Sequence, residues 1–283
     1  MHRRARTVRL VIGIGLATVA AIGGVVFWSA WTRTPLPLAD RCVATVDGST
    51  ATVDPDQAYY AALISAVSLK RDLPPRAASI ALATAFQESG LRNLDYGHAD
   101  SIGLFQQRPS KGWGTIDQIM DPWYSTARFY EALVRVPDWK TGDINDVAQA
   151  VQRSAYPDAY RQHVPRARTL ASSLTGQTPA SFSCSIARPA AADRDGMTTY
   201  LRRSFGTDAV RLRTDGDDLV VTATDARTAW AVAHAAVAGT ARYGLAMVDL
   251  GTWGWTHTPG SLAAWQGAGT TERTEVRLVF AVD

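Results

Sequence analysis

The sequence predicts a chain in three parts: an N-terminal transmembrane helix, a mainly α domain, and a small C-terminal α+β domain with an antiparallel sheet. Three observations predict it. An uncharged run of 19 residues follows a cluster of arginines, proline-led and acid-capped segments of helical period fill the middle, and beyond residue 195 apolar residues alternate around an Asp-Gly turn. With 46% hydrophobic and 19% charged residues over 283 positions, the chain is too apolar to be disordered.

The first element is the run from Leu10 to Trp28, preceded by Arg3, Arg4, Arg6 and Arg9. At helical rise its 19 residues span about 28 Å, close to the apolar thickness of a bilayer. The arginines predict a cytoplasmic N-terminus, with Trp28 and Trp31 at the outer interface, and residues 1–33 are read as a single-pass membrane anchor. A cleaved signal peptide, leading to secretion, is the rival reading, although no small-x-small site follows Trp28. Five of the 29 basic residues lie in 1–33, which hold no acid, leaving 24 basic against 26 acidic side chains, a net of −2. The remaining chain thus has no overall basic excess, and no nucleic-acid partner is expected.

An extracellular position for everything after the anchor makes Cys42 and Cys184 candidates for a disulfide, 142 residues apart at the two ends of the helical region, with two unpaired buried thiols as the alternative. That domain is placed at 42–184. Asp54-Pro55 and Asp121-Pro122 each set an N-cap acid before a proline suited to the first helical turn, and Pro74-Pro75 opens a helix that Gly90 ends. Further helices fit "INDVAQAVQRS" and "PDAYRQHVPRARTLASSL", the latter interrupted near Pro165. A linker is expected at 185–195. The last domain, 196–283, begins with a short helix near Thr198, continues as "AVRLRTDGDDLVVTAT", a hairpin, then a helix capped by Asp225, and ends in strand-like "LAMVDLGTW" and "TEVRLVFAV".

Glu88 stands where the helix opened by Pro75 stops, and a glycine-rich stretch from Arg92 to Thr115 follows. A carboxyl there faces the negative end of the helix dipole beside apolar Phe86, and both effects favour its protonated form. A carboxylic acid kept protonated near neutrality suits cleavage of a glycosidic bond. Ser101, Gln106 and Gln107 are candidate partners for sugar hydroxyls and acetamides, and Trp113, with Trp123, Tyr124 and Tyr96, offers flat faces for pyranose rings.

"QESGL" followed by "SIGLFQQRP" resembles the lytic transglycosylase and goose-type lysozyme-like family, over about residues 56–175. The resemblance implies a lysozyme-like domain acting on peptidoglycan, without a cofactor or metal, as a lytic transglycosylase or a muramidase. Glu88 is then the single catalytic acid and base, Ser89 its support, and Gly103, Leu104, Phe105 and Gln106 the cleft motif. "AVQRSAYPDAY" lies where the family carries a late cleft-closing helix, often Tyr-Asn-Ala-Gly in sequence, which this chain lacks; Gln152, Ser154 and Tyr160 are the candidates there. The resemblance does not reach residues 196–283, which are read as an accessory module with an envelope protein as candidate partner. The competing class is a catalytically silent envelope protein that binds glycan or docks in a secretion or conjugation apparatus. A thiol nucleophile at Cys184 with His234 or His257 as base, and a triad within "HADS", are weaker alternatives. The histidine spacing offers no metal motif.

Overall fold

"ARTAWAVAHAAVA" is apolar around its whole circumference, and a helix of that composition needs cover on every side. In the computed structural model, which describes residues 39–152, 158–269 and 272–281, it has that cover. The segment forms a helix, Ala226–Ala238, whose residues from Thr228 to Ala238 are all buried. On one side it meets an antiparallel sheet and on the other two helices of the region that precedes residue 184.

The chain begins its ordered course with a hairpin of strands β1 (Arg41–Val46) and β2 (Ser49–Val53), joined by Asp47-Gly48 with positive φ at both residues, the geometry that a two-residue turn requires. Helices α1 (Pro55–Lys70) and α2 (Pro75–Ser89) follow, then short α3 (Ile116–Met120), α4 (Pro122–Leu133), α5 (Ile144–Gln152) and α6 (Val164–Leu174). Strand β3 (Phe182–Ser185) returns to pair with β1, so the order is β2-β1-β3. The second half comprises α7 (Arg194–Phe205), β4 (Val210–Asp215), β5 (Asp218–Ala223), α8 (Ala226–Ala238), α9 (Thr240–Tyr243), β6 (Leu245–Leu250), β7 (Trp253–Thr256) and β8 (Glu275–Phe280). Its sheet is antiparallel throughout, in the order β4-β5-β8-β6-β7, with the last strand in the centre.

The caps form where local chemistry predicts them. Asp54 accepts from the Gln57 amide while Gln57 returns a bond to the Asp54 amide, closing a capping box on α1. Asp121 accepts from Trp123 and Tyr124 N–H at the start of α4, and Asp225 accepts from Thr228 at the start of α8.

Two expectations are corrected. The architecture is mixed α+β, because the region expected to be mainly helical also contains the three-stranded sheet. Among the described residues no helix is long and apolar enough to cross a membrane, which overturns the transmembrane helix, the membrane contact and the single-pass topology; residues 10–28 themselves lie outside the described residues.

Residues 40–283 form one unit, and many side chains tie its halves. Tyr59 of α1 stacks on Tyr200 of α7 at 4.7 Å between centroids, Trp123 donates Nε1–H to Ser204 Oγ at 2.9 Å, and Arg242 pairs with Asp56 at 2.8 Å. Strand β3 is held by the segments after α8. Trp255 donates to Ser183 Oγ and Trp265 to the Phe182 carbonyl, at 2.9 and 2.8 Å. The tryptophans of this region pack into the core: Trp255 is fully buried, and Trp253 and Trp265 meet the edges of Trp230.

Cys42 and Cys184 face each other across β1 and β3 and are disulfide-bonded, both fully buried. A loop of this length gives about 5 kcal/mol in the chain-entropy model, an upper figure. The Cys42→Ala, Cys184→Ala double variant is expected to remain folded but to lose several kcal/mol in denaturant unfolding; a loss below about 1 kcal/mol would show that the staple contributes little.

His234 in α8 is fully buried, and because its Nδ1 meets the Ser173 carbonyl at 2.9 Å, that nitrogen carries the proton. Burial holds its pKa down to about 4, the carbonyl acting in the opposite sense. The unfolded chain binds the extra proton below about pH 6.5, so this site contributes stability that is complete above that pH and lost as pH falls toward 4. The shift corresponds to about 3 kcal/mol at most. His234→Gln keeps a donor but does not titrate, and its unfolding free energy is expected to fall less between pH 7 and pH 4 than that of the wild type.

Candidate functional site

Helix α2 ends at Gly90, whose left-handed backbone lets the Gly90 and Leu91 amides close on the Phe86 and Ala85 carbonyls. Gln57 of the α1 capping box donates its side-chain amide to the Gly90 carbonyl at 2.8 Å. The start of one core helix therefore fixes the end of the other. Glu88 sits in the last turn of α2, half-buried, and among the described residues it has no ion pair.

The Glu88 carboxylate accepts a hydrogen bond from Tyr160 Oη at 2.6 Å. Burial pushes its pKa above the ordinary carboxylate range, and the Tyr160 bond opposes that shift because it favours the charged form. Tyr160 itself is fully buried, so it serves the carboxyl and does not contact a substrate as the sequence suggested.

The loop after α2 folds back on it. Ile102 and Gln107 pair as an isolated antiparallel bridge around the turn Gly103–Gln106. Gly103 takes φ +79°, and a β-carbon there would come within 3.1 Å of the Ile119 carbonyl. A β-carbon at Gly97 would overlap Gln106 Oε1 and the Ser101 carbonyl. Ser89 does not touch Glu88: its Oγ donates to the Leu104 carbonyl at 2.8 Å and accepts from the Arg92 amide at 3.1 Å, which fastens the loop to the helix. Leu104 and Phe105 are buried, Phe105 stacking on Phe129 at 4.5 Å.

The glutamines divide. Gln107 is buried and donates to the Ser125 carbonyl at 3.0 Å, tying the loop to α4, so it is a structural bolt and not a sugar contact. Gln152, at the end of α5, donates to the Phe105 carbonyl at 3.0 Å. Gln106 is half-buried and in the left-handed region at φ 47°, with its amide on the Tyr96 and Gly103 carbonyls. Ser101 is buried, and Trp123 and Tyr124 are engaged with Ser204 and with the Trp113 carbonyl. Tyr96 is 67% exposed. Ser154 lies outside the described residues.

Gln106, Trp113 and Gln152 border a groove of about 850 Å³ between the loop, α4 and α5, within the size range of small-molecule sites. Glu88 is not on its wall; the turn Gly103–Gln106, bonded to α2 through Ser89 and to α5 through Gln152, links the two.

The weaker chemistries of the sequence lose their residues here. Cys184 is in the disulfide, and His234 and His257 are bonded to the Ser173 and Ile186 carbonyls. Asp100 is bonded to Arg108 Nε at 2.6 Å and to the Ser110 amide at 2.8 Å, which depresses its pKa, and it stabilises a turn beside Ser101 instead of orienting His98.

One group near Glu88 went unread in the sequence. His163 Nδ1 accepts from Arg166, which has no acceptor to offer, so its Nε2 donates to Gln87 Oε1 at 3.0 Å. Burial, with Arg166 as second cause, lowers its pKa to about 4. The ring lies over Phe86, whose other neighbour is the Arg166 guanidinium at 3.7 Å. "RQHVPRAR" shows the basic residues, but not that they converge on the end of α2.

Tyr160→Phe removes a bond that favours the carboxylate, so the Glu88 pKa is expected to rise further in that variant. A carbon NMR titration of the Glu88 carboxyl checks this without an activity assay, and a downward or absent shift would refute the assigned role. Comparison with family models and with curated proteins finds no match to this chain.

Proposed function

We propose that the chain cleaves the glycan strands of peptidoglycan by a lytic transglycosylase-type reaction with Glu88 as its single acid and base. The observation that carries the reading is the Glu88 carboxyl itself: at a helix C-terminus, half-buried, without an ion pair among the described residues, and held by one buried tyrosine. Those conditions suit a carboxyl that must donate a proton near neutrality and then accept one back.

In this reaction the protonated carboxyl gives its proton to the departing glycosidic oxygen as the bond to C1 breaks. The muramic C6 hydroxyl closes on C1, and the Glu88 carboxylate takes the hydroxyl proton. No water is consumed, and Glu88 is returned protonated. A hydrolytic alternative by two enzymic carboxyls needs a second one at roughly 5–10 Å. Asp100, one of two aspartates in the loop after Glu88, has its oxygens on Arg108 and Ser110, which supports the one-acid route.

Glu88→Gln preserves size and hydrogen bonding but not the transferable proton, and is expected to reduce turnover of purified wall by at least the 10²–10⁴-fold typical of general acid catalysis. Wild-type products are expected to end in 1,6-anhydromuramic acid, seen as borohydride-resistant muropeptides by mass spectrometry, and Asp95→Asn and Asp100→Asn are expected to give the same ends. Reducible ends would establish hydrolysis. A wild type that binds strands without cutting them would make the chain a silent glycan-binding protein.

A further inference from the structure

The groove bordered by Gln106, Trp113 and Gln152 has an electrostatic character that neutral sugars do not require. Arg108, Lys111, Arg128 and Arg135 line it with one carboxylate, Glu131. Arg108 is bonded to Asp100 and Arg128 to Glu131, at 2.6 Å each. Lys111 and Arg135 are exposed and have no ion pair among the described residues. Lys111 ends the 3-10 turn Pro109–Lys111, and Arg135 lies two residues beyond α4, so the two free cations come from different walls of one groove. Ala132, Val136, Pro137 and Val151 supply apolar lining between the polar groups.

We propose that this groove holds the carboxylate-bearing peptide stems of the glycan strand, with Lys111 and Arg135 pairing their carboxylates; the inference rests on the glycan-cleavage reading and narrows its substrate class to stem-bearing strands. With the lactyl carboxyl of the muramic residue amide-linked to its stem, the sugar chain carries no charge, so an unpaired cation gains little from the sugars themselves. Peptide stems supply carboxylates for the cations, methyl groups for the apolar lining, and amides for Gln106 and Gln152. A phosphate polymer would answer the charge but not the apolar wall. The groove is also of a size that takes more than a single side chain.

The test measures binding without turnover. In the Glu88→Gln background, calorimetric titrations compare strands with intact stems, strands stripped of stems by an amidase and then amidated at the exposed lactyl carboxyls, the free stem peptide, and a wall teichoic acid. Stem-bearing strands are expected to bind more tightly than stripped ones, and Lys111→Ala with Arg135→Ala together to weaken only the stem-bearing strands and the free stem, by roughly ten-fold, as two exposed ion pairs would. Raising the salt concentration is expected to produce the same selective loss. Equal affinity for stripped and stem-bearing strands, an unchanged affinity in the double variant, or preference for the teichoic acid would overturn the inference. The two readings fail separately: free stem that binds through Lys111 and Arg135 in a protein that cuts no glycan would sink the cleavage reading and leave this site standing.

Discussion

The constraint on which the rest depends is that α8 is buried on both faces. A helix between two layers must be thin, and its alanines let β6 on one side and α1 and α6 on the other approach closely. Its two bulky rings, Trp230 and His234, lie one turn apart and meet Trp265 and Phe182, so the side chains that fill space also connect α8 to β3 and to the tail beyond β7. The polar cost of burying His234 is limited by its bond to Ser173 and by its neutral state. Once α8 is set, α6 is set. Since α2 packs more extensively on α6 than on any other helix, the position of Glu88 follows from a helix that begins 138 residues later.

Around the carboxyl, polar side chains serve two separate ends. Ser89, Gln107 and Gln152 direct hydrogen bonds into the backbone of the loop or its neighbours, and the loop is held in a shape its own short-range contacts do not dictate. This is the usual support for a site carried on irregular backbone, where rigid elements must supply the positional accuracy. Among the side chains left toward solvent are Tyr96 and the groove's exposed cations. Adjacent Gln106 and Gln107 show the division most plainly: one residue lies on the groove, and the next is nearly inaccessible and bonded to α4.

Features governed by short-range chemistry were legible. The caps at Asp54, Asp121 and Asp225, the stop at Gly90 and the position of Glu88 follow from residues within one turn of each other. Apart from the Cys42–Cys184 bridge, what depended on distant partners was not. Strand β3 has four residues and pairs with β1 across a loop of well over a hundred, so its pattern carries little signal, and the Asp47-Gly48 turn between β1 and β2 went unread. Tyr160 looks like a substrate contact in the sequence because its burial is set by packing against α2, which nothing in its neighbours reveals. Ser89 lies beside the carboxyl, as the sequence implies, yet supports the loop and not the acid. A hydroxyl next to a glutamate invites a direct contact, whereas the helix end turns it toward Leu104. The all-round apolar character of α8 was visible, but a sheet on one side satisfies only half of it, and the second layer was the part left unread.

The electrostatics near Glu88 rest on what its neighbours do not do. An arginine paired with a carboxylate lowers its pKa by about 1–3, enough to offset the rise that burial produces at Glu88. Arg166 belongs to α6, the helix against which α2 packs, and its guanidinium is placed over the Phe86 ring and against His163 Nδ1. The ring attracts the cation through its face, and the neutral imidazole accepts a hydrogen bond from it without adding charge. Burial is the main reason that His163 stays neutral, and the same contact adds to it, because a protonated ring would set two cations against each other. Among the described residues no cation is paired with the Glu88 carboxyl, and burial is the dominant influence on its proton, with the Tyr160 bond as the moderating one.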